Sequence, residues 1–469
     1  MKFTTALLAA TALSAVAAPA QAHDRQPSSA EQLAELREQM AALMARVDQL
    51  ESELEAAEAQ AEAANSAAAE ANAAALAANT AATEANEAAV AAQTKVDKAP
   101  SIAFKGAPEI KGDGWSFKPR GRLMYDAGFT SVPGSTGRSD GFGSEARRIR
   151  LGVSGDMPGG VGYKFEVDFA GNEVAVTDAF LSYEAGDAEI MVGQMNNFQS
   201  LEELTSSLHT SFIERAAFTD AFGFERRVGI GTEFSGGPIL VQAGIFSDNM
   251  EDLSNKSWSA DARVVANPKL GDTQLHLGGS VHYAELESGD TVRYRQRPLV
   301  HFTSERFINT GNIAASSEFG FGLEAAVISG PFHAAAEGYW QNVNMPVGMS
   351  DPTFFGGYAE VGVFLTKGDT RGYKGGKFDR TKPKNPLGKG GMGSLQFNVR
   401  YDRLDLTDAG ILGGSQNGYF ASIVWKPTDY TMILANYGKL DYSNAVYATG
   451  TGDTSYSVDV FGMRAQIDF

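Results

Sequence analysis

The sequence predicts an all-β protein, a transmembrane antiparallel β-barrel of 16 strands, or alternatively 18, that follows an α-helical coiled coil. Three observations carry this prediction. An export-signal pattern opens the chain, a heptad repeat of apolar residues follows it, and from about residue 115 apolar residues recur at every second position. The last pattern has the period of a strand that is apolar on one face, and membrane barrels are built from such strands.

Residues 1–22 have the pattern of a secretory signal peptide. Lys2 supplies the positive charge, an apolar run follows at 6–18, and Ala20-Gln21-Ala22 forms a small-residue cleavage site. No later stretch has the 18 or more consecutive apolar residues of a transmembrane helix. An exported chain without such a helix is periplasmic, secreted or a barrel.

Residues 23–98 carry the heptad pattern of a coiled coil. Apolar positions spaced alternately three and four residues apart begin at Leu33, and alanine continues the same seam to Val96. A single helix cannot bury this seam, so the pattern predicts self-association. Ala99-Pro100 ends the helix, and residues 99–114 are predicted to link it to the barrel, residues 115–469.

The period-two pattern of the barrel region places apolar residues on odd positions and polar residues on even ones. Tyr163 and Phe165, for example, flank Lys164 and precede Glu166. Charges on one face and aromatic side chains on the other favour a membrane barrel with a polar interior over a soluble sandwich. We count 17 candidate strands, but the alternation of turns slips between residues 245 and 316. An antiparallel barrel with both ends on one side needs an even number, so 16 is favoured.

Long loops are predicted near residues 131–143, 195–225, 342–353, 404–416 and 442–456. The polar excursion from Met195 to Arg226 is far longer than a hairpin loop, and structureless loops of this length are usually functional. We expect it to fold into the lumen as a constriction. Its candidate constriction residues are Ser200, Glu202, Glu203, Ser206, His209, Glu214 and Arg215.

Composition and spacing argue against several classes of function. The chain has no cysteine, so disulfides and thiolate metal sites are excluded, and its net charge of −18 argues against nucleic-acid binding. His276 and His282 share a strand face but lie about 20 Å apart, too far to act together. No catalytic, cofactor-binding or metal site is predicted, and we do not expect an enzyme.

Several segments between Arg120 and Phe469 resemble the phosphate-selective porin O/P family. They include Glu-Ala-Arg-Arg-Ile-Arg-Leu-Gly at 145–152, Ser-Leu-Glu-Glu-Leu-Thr-Ser-Ser at 200–207 and Tyr-Arg-Gln-Arg-Pro at 294–298. The resemblance implies a homotrimeric outer-membrane channel for passive diffusion of small hydrophilic or anionic solutes. It also implies contact with outer-membrane lipid and lipopolysaccharide, and the added coil looks like the periplasmic extension of some sugar porins.

Phosphate-selective members of this family line their pore with arginine, whose planar donors grip phosphate oxygens. The resemblance implies a partial arginine ladder here, but residues 195–197 are Met-Asn-Asn where it leads us to expect Lys. Glu166, Asp168 and Asp178 share the lumen register, so weak anion preference is favoured over phosphate selectivity. The candidate anion path is Arg120, Arg122, Arg148, Arg150, Arg227, Arg400 and, on a strand of shifted register, Arg293, Arg295 and Arg297.

Two alternative functions remain open from the sequence. The first is a general or sugar and organic-acid porin without anion selectivity. The second is a structural protein whose coil ties the outer membrane to the cell wall, with peptidoglycan as its partner. The basic, Gly- and Pro-rich segment 374–389 is expected to be a solvated loop.

Overall fold

The computed structural model describes residues 28–252 and 256–469, so the predicted signal peptide, residues 1–22, lies outside the described residues. The described chain separates into a helical unit that extends to Asp97 and a β-rich unit from Lys98 to Phe469. Among the described helices, none combines the length and the apolar character needed to cross a membrane.

Helix α1 spans Ser29–Lys98. At its start the Glu31 carboxylate accepts hydrogen bonds from the backbone nitrogen of Ser28 at 3.0 Å and from its hydroxyl at 3.2 Å. This contact satisfies an N–H group that a helix start leaves free. Pro100, two residues beyond the helix, cannot continue it. The seam is exposed in this single chain, with Leu36 at 59%, so the coiled coil stays a prediction.

The β-rich unit is a closed antiparallel barrel. Its sheet contains nineteen strands. Two short strands precede the barrel, and the two-residue strand Lys269–Leu270 is a short extension of the strand before it, so sixteen strands form the barrel wall. The last strand pairs with the first, from Asp459 opposite Ser131 to Asp468 opposite Arg122, and closes the cylinder. The barrel strands are β1 (Trp115–Ser131), β2 (Gly141–Met157), β3 (Val161–Asp168), β4 (Ala175–Ala185), β5 (Ala188–Asn196), β6 (Arg226–Gly236), β7 (Ile239–Phe246), β8 (Trp258–Ala266), β9 (Thr273–Glu285), β10 (Ser317–Ser329), β11 (Phe332–Asn344), β12 (Thr353–Phe364), β13 (Ser394–Asp408), β14 (Ile411–Thr428), β15 (Thr431–Ser443) and β16 (Tyr456–Asp468).

The predicted alternation is confirmed on the barrel wall. In β9 the side chain of Leu277 is 61% exposed on the outer face, whereas its neighbour His276 is buried on the inner face. Closure of the sheet leaves no strand edge in lipid, where an unpaired backbone group would be costly. The prediction of sixteen strands is confirmed, and the alternative of eighteen is wrong.

The short strands before the barrel are Ser101–Phe104 and Pro108–Gly112, within the predicted linker, residues 99–114. They pair with each other, and the second also pairs with the start of β1. These two strands therefore extend the sheet beyond the start of β1.

The prediction that Arg293, Arg295 and Arg297 lie on a barrel strand of shifted register is wrong. These residues lie in the connection 286–316 between β9 and β10, where only two-residue strands form, such as Arg295–Gln296 paired with Ile308–Asn309. Pro298 has no N–H group to donate to a ladder, and Leu299 has a positive φ of 61°. A regular barrel strand cannot continue through this pair of residues.

The long loop predicted near 404–416 is also wrong. β13 and β14 pair up to Asp408 opposite Ile411, so a two-residue turn joins them. Ala409 and Gly410 have φ values of 49° and 88°, the positive values that the tightest hairpin turns require. Strand alternation continues closer to this turn than the polar composition of the segment suggested.

Three connections fold into the barrel. We call the end at which β1 begins and β16 ends the terminal end, and the other the opposite end. The constriction loop (197–225) and the second loop (286–316) come from the opposite end, whereas the terminal insertion (365–393) comes from the terminal end. Each contributes a buried aromatic side chain, respectively Phe212, Phe307 and Phe378.

The expectation that the basic segment 374–389 is a solvated loop is wrong for its first part. Phe378 is buried, and Lys377 and Arg380 are half-buried inside the barrel. The lysines at 374, 382, 384 and 389 are exposed, as expected. The basic residues predict that the segment is exposed to solvent. Its first part instead lies in the lumen, because the apolar ring of Phe378 packs into the core there.

An apolar core fills the side of the barrel formed by β10–β16. The constriction loop and the second loop pack against inward-facing apolar residues of these strands, so this part of the interior is dry. Short helices α2 (Leu201–Leu204) and α3 (Ala217–Ala221) of the constriction loop take part. Inward-facing members on the wall include Tyr339, Val343, Phe354, Tyr358, Leu404, Leu406, Phe420, Leu434, Leu440, Val458 and Val460.

Side chains of the wall also hold the backbone of the constriction loop. The Glu337 carboxylate accepts hydrogen bonds from the backbone nitrogens of Leu201 at 2.9 Å and Glu202 at 2.7 Å. The Asp402 carboxylate accepts one from the backbone nitrogen of Ala217 at 2.9 Å. These bonds satisfy N–H groups at the starts of α2 and α3 and fix the position of the loop across the lumen.

We predict that Glu337→Ala loosens the constriction loop, because two buried backbone N–H groups lose their acceptor. The expected loss is about 1–3 kcal/mol of stability, measured as a lower temperature of heat-modifiable mobility, together with noisier single-channel current. Glu337→Gln retains one acceptor oxygen and should lie between Glu337→Ala and the parent. Identical current noise in all three proteins would contradict this assignment.

We predict that Leu277→Arg destabilises the barrel, because it places a charge on the lipid-facing surface. The expected cost is about 2–4 kcal/mol near the middle of the apolar band, measured by denaturant unfolding from lipid vesicles. Leu277→Met, which keeps an apolar side chain, is the matched control and should unfold close to the parent. Equal stability of the arginine variant would show that this face is not in lipid.

Candidate functional site

Two cavities inside the described part of the barrel lie beside the paired strands β1 and β2, the first beside β2 and the second beside β1. The first, of about 270 Å³, lies toward the opposite end and is lined in part by Arg147 and Arg148. The second, of about 280 Å³, lies toward the terminal end and is lined in part by Lys118, Arg120 and Arg122. Because β1 and β2 are paired neighbours, the wall that they form runs between the two cavities and is the candidate functional site.

The wall carries a column of cationic side chains between the two cavities. In the pairing of β1 with β2, Arg148 stands opposite Met124, Arg150 opposite Arg122, and Arg120 one step further toward the terminal end. Lys118 follows at the next inward-facing position of β1. From the level of Arg148 to Lys118 is six residues of strand, about 20 Å.

Two arginines of the column form ion pairs with carboxylates on β3. Arg122 forms an ion pair with Glu166 at 3.0 Å, and Arg150 pairs with Glu166 at 3.1 Å and with Asp168 at 2.7 Å. Arg122 also donates to the Ser207 hydroxyl of the constriction loop at 3.2 Å. The middle of the column is therefore an ionic network rather than a row of free charges.

The other three cations of the column have no such partner. The ion pairs of this wall involve Arg122 and Arg150, and within residues 28–252 and 256–469 none involves Arg148, Arg120 or Lys118. The only hydrogen bond given by Arg148 among those residues is to the Met124 sulfur at 3.8 Å. These three groups are available to a solute in the cavities.

A β-bulge places a further arginine at the first cavity. Tyr125 pairs with Ala146 while Met124 pairs with Arg148, so Arg147 is an extra residue in β2. Its guanidinium turns inward and binds the Glu214 carboxylate at 2.7 Å. Strict alternation predicts Arg147 on the outer face, so it is not among the path residues predicted from the sequence. The adjacent pair of arginines was the available signal, because a regular strand would leave one of them in lipid.

The wall formed by β3 and β4 faces the column with mixed charge. Asp178 binds Lys164 at 2.8 Å and Arg226 at 3.0 Å. Arg226, which is not among the predicted path residues, borders the first cavity. The predicted path residue Arg227 instead pairs with Asp248 at 3.0 Å.

Arg400 lies away from both cavities. It is buried inside the barrel, where it forms ion pairs with Glu202 of the constriction loop and with Glu360 of β12, each at 2.7 Å. Both acidic partners neutralise it, so its position suits attachment of the loop more than contact with a solute.

The second loop places one of its three predicted arginines at a cavity. Arg297 borders the first cavity and donates to the carbonyl of Thr303 at 3.0 Å. Arg293 and Arg295 are exposed at the opposite end, where Arg293 donates to the Asn309 amide oxygen at 2.9 Å.

The acidic residues of the constriction loop differ in their environments. Burial would raise the pKa of Glu214, but the charge and hydrogen bonds of Arg147 outweigh it and hold that pKa well below its ordinary value. Burial raises the pKa of Glu203, and Arg215, at 3.2 Å, offsets this only in part. Glu214 therefore stays charged to lower pH than Glu203.

The remaining predicted loop residues shape the backbone. Ser200 has a positive φ of 65°, and its hydroxyl accepts from the backbone nitrogen of Glu203 at 3.2 Å, which caps α2. Arg215 donates to the carbonyl of Thr205 at 2.9 Å. Ser206 accepts at its carbonyl from the backbone nitrogen of His209 at 2.8 Å, and the His209 imidazole lies 3.6 Å from Asp379 of the terminal insertion.

Basic residues outnumber acidic ones in the lining of the second cavity, six to four. Lys105, Lys118, Arg120 and Lys382 border it together with Arg380 of the terminal insertion. Arg380 forms an ion pair with Asp468 and lies 5.0 Å from the centre of the Tyr430 ring. This end of the candidate site is therefore richer in unneutralised cations than the middle.

Comparison with known proteins identifies the family. Residues 117–469 match the family described as phosphate-selective porin O and P. An uncharacterized protein of Caulobacter vibrioides is 47% identical over 382 residues, which is 78% of this chain and 77% of that one.

Among solved structures, OmpT of Vibrio cholerae, described as an outer membrane protein in its trimer form, superposes with a TM-score of 0.49 at 12% identity, over 76% of this chain and all of that one. The anion-selective porin of Comamonas acidovorans gives 0.49 at 12% identity, again over 76% and 100%. The outer membrane channel DcaP of Acinetobacter baumannii gives 0.48 at 15% identity, over 76% and 98%.

The family match covers nearly the whole barrel, from residue 117 in β1 to the last residue. The chain belongs to the phosphate-selective porin O and P family and is an outer-membrane porin, a transport channel and not an enzyme.

Proposed function

We propose that this porin passes small hydrophilic solutes by passive diffusion with a weak preference for anions, along the wall formed by β1 and β2. The observation that carries the proposal is the cationic column between the two cavities, in which Arg148, Arg120 and Lys118 form no ion pair with the described residues. Fixed positive charge along a narrow, water-filled path attracts anions and repels cations.

The anion preference is weak because carboxylates neutralise the arginines at the centre of the path. Arg122 and Arg150 are neutralised by Glu166 and Asp168, and Asp178 of β4 pairs with Lys164 of β3 and with Arg226. Opposed charges across a lumen create a transverse field, which orients dipolar solutes and sets mild ion preference. A dedicated phosphate site would need several uncompensated cations at one place.

The size of the path favours small solutes. The apolar core and the three inward connections occupy most of the interior, and the two cavities measure about 270 and 280 Å³. Pockets that hold drug-sized ligands measure about 300–1,000 Å³. A general porin for sugars or organic acids without anion preference remains the alternative, and the charge variants below distinguish the two.

The sequence supports a specific arrangement in the envelope. A signal peptide (1–22) directs export, the coil (23–98) lies in the periplasm, and a linker (99–114) joins it to the barrel (115–469). The exposed seam of α1 favours a homotrimer held together by the coil. Outer-membrane lipid and lipopolysaccharide contact the apolar outer face.

We predict that Arg120→Gln and Arg148→Gln each reduce anion preference, because each removes an uncompensated charge beside the path. A unit charge close to the permeant ion is worth about 1 kcal/mol, or roughly fivefold in the chloride-to-potassium permeability ratio. Glu166→Gln should raise the ratio, because it frees Arg122 and leaves Arg150 with Asp168 as its one carboxylate partner. The measurement is the reversal potential in planar bilayers under a KCl gradient.

Arg403→Gln is the matched control, because Arg403 pairs with Asp405 on the outward-facing register of β13. Its reversal potential should equal that of the parent. Millimolar phosphate is then added to the parent channel; weak anion preference predicts an unchanged chloride current, whereas a phosphate site predicts blockade. A parent reversal potential of zero or of cation sign rejects the proposal.

The coil allows a second function, in which it ties the outer membrane to peptidoglycan and the pore is incidental. The exposed seam from Leu33 onward is the feature that both roles would use.

We predict that deletion of residues 23–99 converts trimers to monomers or to unstable barrels, because the apolar seam of α1 then no longer joins three chains. Native electrophoresis and light scattering in detergent measure the oligomeric state. A tether predicts the reverse pattern, with trimers and conductance retained and the spacing between outer membrane and cell wall lost.

A further inference from the structure

The terminal insertion contains a tight hairpin that crosses the lumen. Its arms, Gly372–Lys374 and Lys377–Asp379, pair around Gly375 and Gly376, whose φ values of 57° and 66° suit a two-residue turn. We call residues 372–379 the lumen hairpin. Its tip reaches the far wall, where the Gly376 carbonyl accepts a hydrogen bond from Arg263 of β8 at 2.8 Å.

The wall beneath the lumen hairpin is charged and polar. Arg263 binds Glu324 of β10 at 2.6 Å and the Gln242 amide oxygen at 3.0 Å, and Gln242 donates to Glu233 of β6 at 2.8 Å. Arg263 is only 1% exposed and Glu324 5%. Ion-paired and amide side chains therefore line this wall beneath the hairpin tip, and polar side chains are also what line the interior of water-filled barrel channels.

Polar contacts predominate where the lumen hairpin is attached. It contributes one buried residue, Phe378, to the apolar core, and Tyr373 packs against that core, whereas the constriction loop contributes nine buried residues. The Tyr373 hydroxyl lies 2.7 Å from Nδ1 of His276, and the backbone nitrogen of Phe378 donates to the Thr205 hydroxyl at 3.3 Å. Such bonds are worth about 1 kcal/mol each, since water replaces them when they break.

The geometry points to a second permeation route along β6–β10, closed by the lumen hairpin in this conformation and opened when the hairpin leaves the wall. The lining of this route combines Glu233 and Glu324 with Arg263, so it has no single sign. It therefore admits neutral and zwitterionic solutes that carry several hydrogen-bonding groups, such as disaccharides and dipeptides. The inference rests on the proposed channel function and extends its substrate class.

The absence of cysteine from the chain allows the hairpin to be locked. A Cβ at Gly376 would lie 2.4 Å from the side chain of Leu240, so Leu240→Cys combined with Gly376→Cys places two thiols together at the tip. The single variants are the matched controls, and Gly376→Cys also reports the cost of a side chain at positive φ. Heat-modifiable mobility verifies that each barrel is folded.

Swelling of proteoliposomes in sucrose and in glycylglycine measures the second route, and chloride current measures the first. The reduced double variant and both single variants should swell like the parent. Oxidation should abolish swelling in the double variant alone, leave its chloride current largely unchanged, and be reversed by a thiol reductant. Deletion of residues 374–377 should increase the rate of swelling.

Swelling that is equal in the oxidised and reduced double variant overturns the second route. So does a folded deletion variant that passes sucrose no faster than the parent, or a parent that excludes both solutes. If chloride current persists in those cases, the anion path along β1 and β2 stands. Loss of chloride current from the parent as well would overturn both the route and the proposed function.

Discussion

Closure of the backbone hydrogen-bond ladder is the constraint on which the rest of this structure depends. Because β16 pairs with β1, every strand has two neighbours, and no row of unpaired N–H and C=O groups faces lipid. The outer face must then be apolar all the way round, as Leu277 illustrates. The inner face does not have to be apolar. It carries apolar residues where the loops pack on β10–β16 and cationic residues beside the cavities at β1 and β2.

Arginine has two roles inside the barrel, attachment of the constriction loop and contact with solutes, and the surroundings of each arginine determine which role it has. Arg400 lies against the loop core, where a lone charge would be very costly, and Glu202 and Glu360 neutralise it. Arg148 and Arg120 border cavities, where water can solvate an unpaired guanidinium. The loops pack against the apolar core on β10–β16, and the cavities that can admit solutes lie on the other side, beside β1 and β2.

Sequence periodicity predicted the strands well because the outer face must repeat every second residue, and it predicted the even-register arginines of β1 and β2 for the same reason. It could not predict the interior of the loops, because their position depends on packing between distant segments. Phe378 enters the lumen although basic residues surround it. Arg293 and Arg295 alternate like a strand, yet Pro298 and Leu299 turn the chain away from the wall.

The bulge in β2 explains how one strand can both hold the constriction loop and present charge to a solute. In a regular strand one of the two neighbouring arginines would face lipid, at a cost of about 2–4 kcal/mol near the bilayer middle. The extra residue turns both inward, and only Arg147 has a carboxylate partner, Glu214. Since Arg147 ties the loop to the strand that carries Arg148, the loop cannot shift without straining that ion pair. The neighbouring residues Arg147 and Arg148 therefore act together: Arg147 holds the constriction loop in place, and Arg148 presents an unpaired charge beside it.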